Sequence, residues 1–219
     1  MAHCMNTSDV DSQQTSDVVS RSLSPAHRPG LERGRLAAAA AGMGRTEQLL
    51  WWTVLVAVAV VGRLWQPAWN VTPMAGVALA AGALFPNRWM SASVPMVALL
   101  ISNSVLPGYG SWAMAGVVFA ASIWPILLGG MVRRGGVFTV VGGALASSLL
   151  FYLSTNLAHW GLTADYPRTV EGLVACYVAA LPFYRWMPVG DLLWSVGLYS
   201  LATGMAGAMA NVGARAVAE

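Results

Sequence analysis

Residues 112–132 read WAMAGVVFAASIWPILLGGMV and residues 137–157 read VFTVVGGALASSLLFYLSTNL, and neither run contains a charged residue. A helix needs about 20 mainly apolar residues to cross a hydrocarbon layer roughly 30 Å thick. Only two arginines and two glycines separate the runs. The sequence therefore predicts two membrane-spanning helices joined by a short basic turn.

The same pattern continues in both directions along the chain. Hydrophobic residues make up 57% of the 219 residues and charged residues 10%, whereas an ordinary soluble domain has about 25% charged residues. The expected fold class is all-α, an integral membrane bundle of six or seven transmembrane helices. Pro125 is expected to kink its segment. The other apolar segments are 49–64, 73–85, 92–106, 169–183 and 189–210; of these, 73–85 and 169–183 are shorter than a full span.

The two ends of the chain differ from the middle. Residues 1–47 are rich in Ser, Thr, Asp and Gln, a composition that predicts a disordered tail with one or two helical turns near its end. Met43 is an alternative initiator, in which case the tail is not translated, and the following apolar run is alternatively a signal peptide. The predicted organisation is a tail at 1–47, a transmembrane helical bundle at 48–211 and a short C-terminal tail at 212–219.

Arginine distribution orients the bundle. With a cytoplasmic tail and seven crossings, the cytoplasmic loops carry Arg88, Arg133, Arg134 and Arg185, and the outer loops carry Arg63 and Arg168. This bias agrees with the positive-inside rule and predicts a multi-pass membrane protein with a cytoplasmic N-terminus. If the segment 169–183 did not cross, Arg185 would lie outside and the C-terminus inside. The sequence favours seven crossings over six.

Polar residues gather on the outer side in this topology. From Ser148 to His159 they recur at spacings of four, four and three, which places them on one helix face. If they meet the neighbouring loops, they line a polar cup open to the outside. The alternative is that each is satisfied locally by interhelical bonds, headgroups or helix caps. The candidate substrate-binding residues are Asn70, Thr72, Asn103, Tyr152, Asn156, His159, Tyr166, Arg168 and Glu171.

Small residues recur at four-residue spacing in the segment 73–85. Gly76, Ala80 and Gly82 are candidates for docking a partner subunit, because such spacing lets helix backbones approach closely in lipid. For such spacing in general, internal packing is favoured over docking, and the segment 73–85 is the candidate docking helix. Asp191 lies near the start of the last segment. It is a candidate to pair with Arg185 at the cytoplasmic edge, and alternatively a candidate proton-relay group.

Several chemistries are not expected. The apolar core holds one histidine, and Cys4 and Cys176 have no ligand spacing, so neither a metal site nor a disulfide is predicted. The sequence has no G-x-S-x-G elbow and no phosphate-cradling loop. The chain is expected not to be an enzyme and to use no cofactor, and an intramembrane enzyme using Glu171, Asp191 or His159 ranks last. The short arginine-rich tail does not predict nucleic-acid binding.

Four short elements carry a family resemblance: N-V-T-P at 70–73, Y-P-R-T at 166–169, P-F-Y-R at 182–185 and G-D-L-L at 190–193. Over about residues 49–204 the chain resembles a group of small bacterial membrane proteins known only as a domain of unknown function. That group is similar, more loosely, to the S components of energy-coupling-factor transporters. This resemblance implies a small helical bundle in a bacterial inner membrane that binds a solute from outside, with the loop at Asn70 gating the site.

The sequence thus predicts a solute-binding transport component embedded in the lipid bilayer. Its implied partners are a transmembrane scaffold and ATPase subunits, together with an unidentified small-molecule ligand. The alternative is a structural or assembly membrane protein with no ligand.

Overall fold

A computed structural model describes residues 35–66 and 70–218, with side chains at 36–66 and 70–208. Most of the predicted tail, residues 1–34, lies outside the described residues. The helices are α1 (Arg35–Gly42), α2 (Arg45–Leu64), α3 (Met74–Leu84), α4 (Arg88–Asn103), α5 (Trp112–Ile123), α6 (Gly129–Arg134), α7 (Val137–Leu162), α8 (Val170–Tyr184) and α9 (Met187–Ala218). A 3-10 segment, Trp124–Leu128, joins α5 to α6.

Among the described residues, three helical stretches are long and apolar enough to cross a membrane: α2, the run Trp112–Arg134, and α7. Helices α3 and α8 are apolar but shorter. The outward faces are apolar too, with Phe138, Leu153 and Leu193 among the exposed side chains. Surfaces of this kind are stable in lipid rather than in water, which indicates a membrane protein.

Pro125 interrupts the helical run Trp112–Arg134, as the sequence predicts. A proline inside a helix removes one backbone hydrogen bond and clashes with the preceding turn. Here the chain changes to 3-10 geometry at Trp124 and returns to an α-helix at Gly129.

Helix α3 lies in the middle of the bundle, where it contacts α9, α4, α6 and the 3-10 segment. Gly76 packs on the backbone of α9, where an added Cβ would lie 2.8 Å from the amide nitrogen of Ser195. A Cβ at Gly82 would overlap the carbonyl oxygen of Ile126. The docking expectation for Gly76, Ala80 and Gly82 is therefore corrected: the two glycines are buried, Ala80 is half-buried, and the spacing serves internal packing.

Arg133 fixes one end of α3. Its Nε donates to the carbonyl oxygen of Ala83 at 2.7 Å, and one of its terminal nitrogens donates to Gly82 at 3.1 Å and Phe85 at 3.4 Å. The last carbonyls of a helix lack intrahelical donors and carry partial negative charge, so a guanidinium stabilises them. This side of the bundle is called the Arg133 end, and the side where α2 finishes is called the Arg63 end.

Helices α8 and α9 run in the same direction, and both are antiparallel to α7. Along α8, Cys176 contacts Asn156 while Tyr184, further on, stacks on Tyr152. Along α9, Asp191 bonds to Ser148 and then Tyr199 to Gly135. Seven alternating crossings would require α8 and α9 to point in opposite directions, so the packing does not fit the seven-crossing topology.

The helices extend past both predicted boundaries of the bundle, and α1 lies where one or two helical turns were predicted near the end of the tail. Residues 35–47, assigned to the tail, form α1 and the start of α2, and Leu36 and Ala40 are buried. Alanine has the highest helix propensity, so the run of five alanines folds once α3 and α9 provide a surface for it. At the other end α9 continues to Ala218 instead of stopping at residue 211.

Candidate functional site

A cavity of about 330 Å³ lies toward the Arg63 end of the bundle. Its floor is formed by Asp191, Ser122 and Ser147, which lie inside α9, α5 and α7. Its mouth is formed by Arg63, Gln66, Asn70, Thr72 and Tyr109, at helix ends or in loops. Between floor and mouth the wall is mainly apolar and includes Met74, Met114, Val118, Phe151 and Met187.

Asp191 is the charged group of the floor and is only 5% exposed. The hydroxyl of Ser148 donates to its Oδ2 at 2.5 Å. No described cationic side chain lies within 4.0 Å of its carboxylate. Among the described residues, the one ion pair joins His159 and Asp165. The expected pairing of Asp191 with Arg185 is therefore corrected. The pairing rested on a topology that placed both residues at the cytoplasmic edge.

The hydroxyl groups of the floor and wall are already used as donors. Ser122 donates to Val118 at 2.8 Å, Ser147 to Gly143 at 2.6 Å and Thr155 to Phe151 at 2.7 Å, each onto its own helix. A hydroxyl has one proton and two lone pairs. The oxygens can therefore only accept further hydrogen bonds, so the floor presents acceptors.

Arg63 is the charged group of the mouth. One of its terminal nitrogens donates to Asn103 Oδ1 at 3.0 Å and to the Tyr109 hydroxyl at 2.8 Å, and that hydroxyl donates to Asn103 Oδ1 at 3.1 Å. No described carboxylate lies within 4.0 Å of this guanidinium. Asn103 holds the arginine that faces the cavity, and its predicted role in substrate binding stays a prediction.

Asn70 and Thr72 line the mouth, as expected for a loop beside the site. Asn70 has φ 62°, in the left-handed region that asparagine tolerates better than most residues. Its Nδ2 donates to the carbonyl oxygen of Phe183 at 3.1 Å, so this loop is tied to the end of α8. Whether these two residues bind a ligand stays a prediction.

Tyr152 and Asn156 lie away from the cavity, in the pair formed by α8 and the second half of α7, here called the hairpin. The Tyr152 hydroxyl donates to the carbonyl oxygen of Tyr177 at 2.6 Å. Asn156 Nδ2 donates to the backbone carbonyl oxygen of Tyr152 at 2.8 Å, and the backbone carbonyl oxygen of Asn156 accepts from the Cys176 thiol at 3.5 Å. These polar groups are bonded within the hairpin. This arrangement matches the alternative in which each polar residue is satisfied locally.

The remaining predicted residues lie at the far tip of the hairpin. His159 pairs with Asp165 at 3.1 Å and meets Tyr166 edge-on, while Arg168 donates to Thr163 and lies over Trp160. Hydrogen bonds from its own backbone and then from Thr169 lower the pKa of the exposed Glu171 carboxyl. Along α7, His159 lies four residues, about 6 Å, beyond Thr155 of the cavity wall, and none of the residues at the tip lines the cavity. The predicted single cup is therefore two separate groups.

Two charged residues of the cavity, Asp191 and Arg63, are not among the predicted substrate-binding residues. An acid within an apolar segment is itself a signal of function, because charge is costly in a membrane, and Asp191 shows that signal. Arg63 was counted only as a topology marker. Among the described residues no group of three or more His, Cys, Asp or Glu is placed to hold a metal ion.

Over the part of the chain that the structure describes, the fold is all-helical and of the membrane-spanning class, with a cavity among the helices. The chain belongs to a family of unknown function (DUF6580), whose model matches residues 44–212. The resemblance to an uncharacterised family is thereby confirmed. No curated protein and no solved structure matches the chain.

Proposed function

We propose that this chain is a multi-pass membrane protein that binds a small solute in the cavity at its Arg63 end, as a component of a transporter. The observation that carries the proposal is a buried carboxylate, Asp191, facing a space of about 330 Å³. Ligand sites usually measure roughly 300–1,000 Å³, so the space suits a small molecule. Ionisable groups inside a membrane are costly and usually mark a pathway or site.

The proposed topology has six crossings: α2, α3, α4, the run Trp112–Arg134, α7 and α9. The parallel directions of α8 and α9 support it. The Arg133 end then faces the cytoplasm with Arg45, Arg88 and Arg134, and the cavity and Arg185 face outside. The α3 helix spans only about 16 Å, and its burial by neighbours on every side makes that length acceptable in a bilayer.

Energy for transport would come from partners. The described residues and the sequence carry no phosphate-cradling loop of the kind that ATPases use. The resemblance to S components supports a transmembrane scaffold and two ATPases as those partners. Mass spectrometry of proteins that co-purify from native membranes tests this: the ATPases and scaffold should be enriched over a control membrane protein. If the protein is recovered without partner subunits, in a detergent that preserves known transporter complexes, an energy-coupled role is contradicted.

A structural or assembly role is the second candidate. It is favoured by the hairpin, whose polar groups at Tyr152, Asn156 and Tyr177 are bonded within the protein. The outward face of α8 is apolar, with Val170, Val174 and Val178 exposed. This candidate predicts that the cavity can be filled without loss of function.

Filling the cavity separates the two candidates. Ala121 lines the cavity and is buried, whereas Ala120, one residue before it, is exposed. The variants Ala121→Leu and Ala120→Leu add the same side chain to the same helix. Small molecules released from each purified protein are identified by mass spectrometry against the wild-type protein.

We expect a solute to accompany the wild-type protein and Ala120→Leu, and to be lost from Ala121→Leu. Equal recovery from both variants, with both folded, would place any bound molecule elsewhere. Absence of any solute from the wild-type protein, with function kept in Ala121→Leu, would support the structural role.

A further inference from the structure

The floor of the cavity lacks a positive partner. Asp191 receives one hydrogen bond, from Ser148, and the nearby oxygens of Ser122 and Ser147 can only accept. A buried carboxylate without a cation is costly, because the surroundings stabilise its charge far less than water does. A ligand group with several N–H donors and a positive charge supplies what the floor lacks. A primary ammonium meets both requirements in the smallest volume.

The mouth has the opposite preference. Arg63 offers five N–H donors, and its two protein bonds there, to Asn103 and Tyr109, come from one terminal nitrogen and end on neutral oxygens. These bonds fix the position of the guanidinium without neutralising it. A fixed guanidinium with free donors suits a carboxylate, whose geometry it matches in a bidentate pair. The same positive charge repels a simple inorganic cation approaching the floor.

The wall between these groups is suited to a short hydrocarbon chain. Met74, Phe151 and Met187 line it, and methionine adapts its shape to irregular apolar groups. A ligand with two charged ends and an apolar middle would therefore be matched along its whole length.

We propose that the solute is a small zwitterion that enters ammonium first, so that its ammonium contacts Asp191 and its carboxylate contacts Arg63. This rests on the proposed solute-binding function and names the ligand class for the same site. The solute has both charges in one molecule, with net charge near zero, which matches a cavity holding one acid and one arginine.

Isothermal titration of the full-length protein in detergent tests the proposal. The probes are ω-amino acids of two to six carbons, each compared with the alkylamine, the carboxylate and the alcohol of the same length. We expect one ω-amino acid to bind at least about tenfold more tightly than all three matched compounds, because the amine leaves Arg63 unpaired, the carboxylate leaves Asp191 unpaired and the alcohol leaves both unpaired.

Two variants assign the ends. Asp191→Asn keeps an oxygen to accept from Ser148, and should make the zwitterion bind no better than the carboxylate. Arg63→Gln should make it bind no better than the amine. Arg134→Gln, at an exposed position on the opposite end, should leave the preference unchanged. If either variant fails to fold, the wild-type comparison of the four matched compounds still decides.

Two results would overturn the proposal. Equal binding of the alcohol and the ω-amino acid would show a site blind to charge, and would leave the solute-binding function standing. Absence of binding by every probe would rule out this ligand class. In that case the solutes released from the Ala121→Leu and wild-type proteins decide separately whether the cavity binds anything.

Discussion

Arg133 and Asp191 are both charged side chains among apolar helices, yet the protein satisfies them differently. Arg133 reaches three carbonyl oxygens at the end of α3, so its donors are used inside the fold. Asp191 has one donor, Ser148, and faces a cavity. A charge with its partners supplied by the protein has a structural role, whereas one facing a space has an incomplete set of partners. Arg133 therefore acts as a cap on the end of α3, whereas Asp191 belongs to the candidate site.

Replacing Arg133 by glutamine should therefore destabilise the protein. The change removes charge-assisted hydrogen bonds to buried carbonyls, which we expect to cost about 2–3 kcal/mol of unfolding free energy. Unfolding in detergent, followed by tryptophan fluorescence, measures it. Arg134→Gln is the matched control, because the neighbouring side chain is exposed. Equal stability of the two variants would mean that the cap contributes nothing.

At the scale of the element, α3 is defined by what it lacks. Its residues MAGVALAAGAL carry no charge and few large side chains. Because its side chains are small, α9 and the 3-10 segment approach its backbone at Gly76 and Gly82. The sequence of a helix that is apolar on every side is compatible with a docking position and with a central one, because it has no polar face that would exclude either. Only the arrangement of its neighbours made it central.

Alanine at Gly82 should accordingly be poorly tolerated. Its Cβ would meet the backbone of Ile126, which cannot rotate away, so we expect a loss of about 1–3 kcal/mol in stability. Thermal unfolding of the detergent-solubilised protein provides the measurement. Gly142→Ala, in α7, meets no atom within 4 Å and should be neutral or stabilising, because alanine favours helix. A loss of the same size at Gly142 would indicate a general effect of helical glycines.

At the scale of the whole molecule, the directions of α8 and α9 determine which residues share a side. With α8 antiparallel to α7 and parallel to α9, the turn at Arg185 lies by the Asn70 loop. Asp191 therefore joins the cavity instead of the opposite edge. Placing the turn at Arg185 on the side of the Asn70 loop brings Asp191 into the site. The ligand class proposed for the site depends on this placement.

Labelling from outside the cell tests this arrangement. Single cysteines at Arg185→Cys, Arg168→Cys and Arg134→Cys, in a chain with Cys4 and Cys176 replaced by serine, are exposed to a membrane-impermeant maleimide. We expect positions 185 and 168 to label in intact cells or spheroplasts, and position 134 only after permeabilisation. If position 185 instead behaved like position 134, α8 would cross and seven crossings would be restored.

The sequence by itself determined the composition of the fold: long uncharged runs predict membrane helices, Pro125 predicts the break at the 3-10 segment, and small residues in α3 predict close packing. These are local properties, because helix formation and lipid preference depend on residues within about 20 positions. The loop at Asn70 and Thr72 was also found from sequence.

The tertiary structure decided which polar groups meet. The stripe from Ser148 to His159 lies on one helix face, but α8 covers its outer part and α9 covers Ser148. The neighbouring residues Ser147, Phe151 and Thr155 of α7 line the cavity instead. Asp191 and Arg63 are 128 positions apart in sequence, and no spacing rule links them. Their shared cavity depends on the direction in which α9 packs against α7, and this is set by contacts between helices, which the local pattern of hydrophobic residues does not specify.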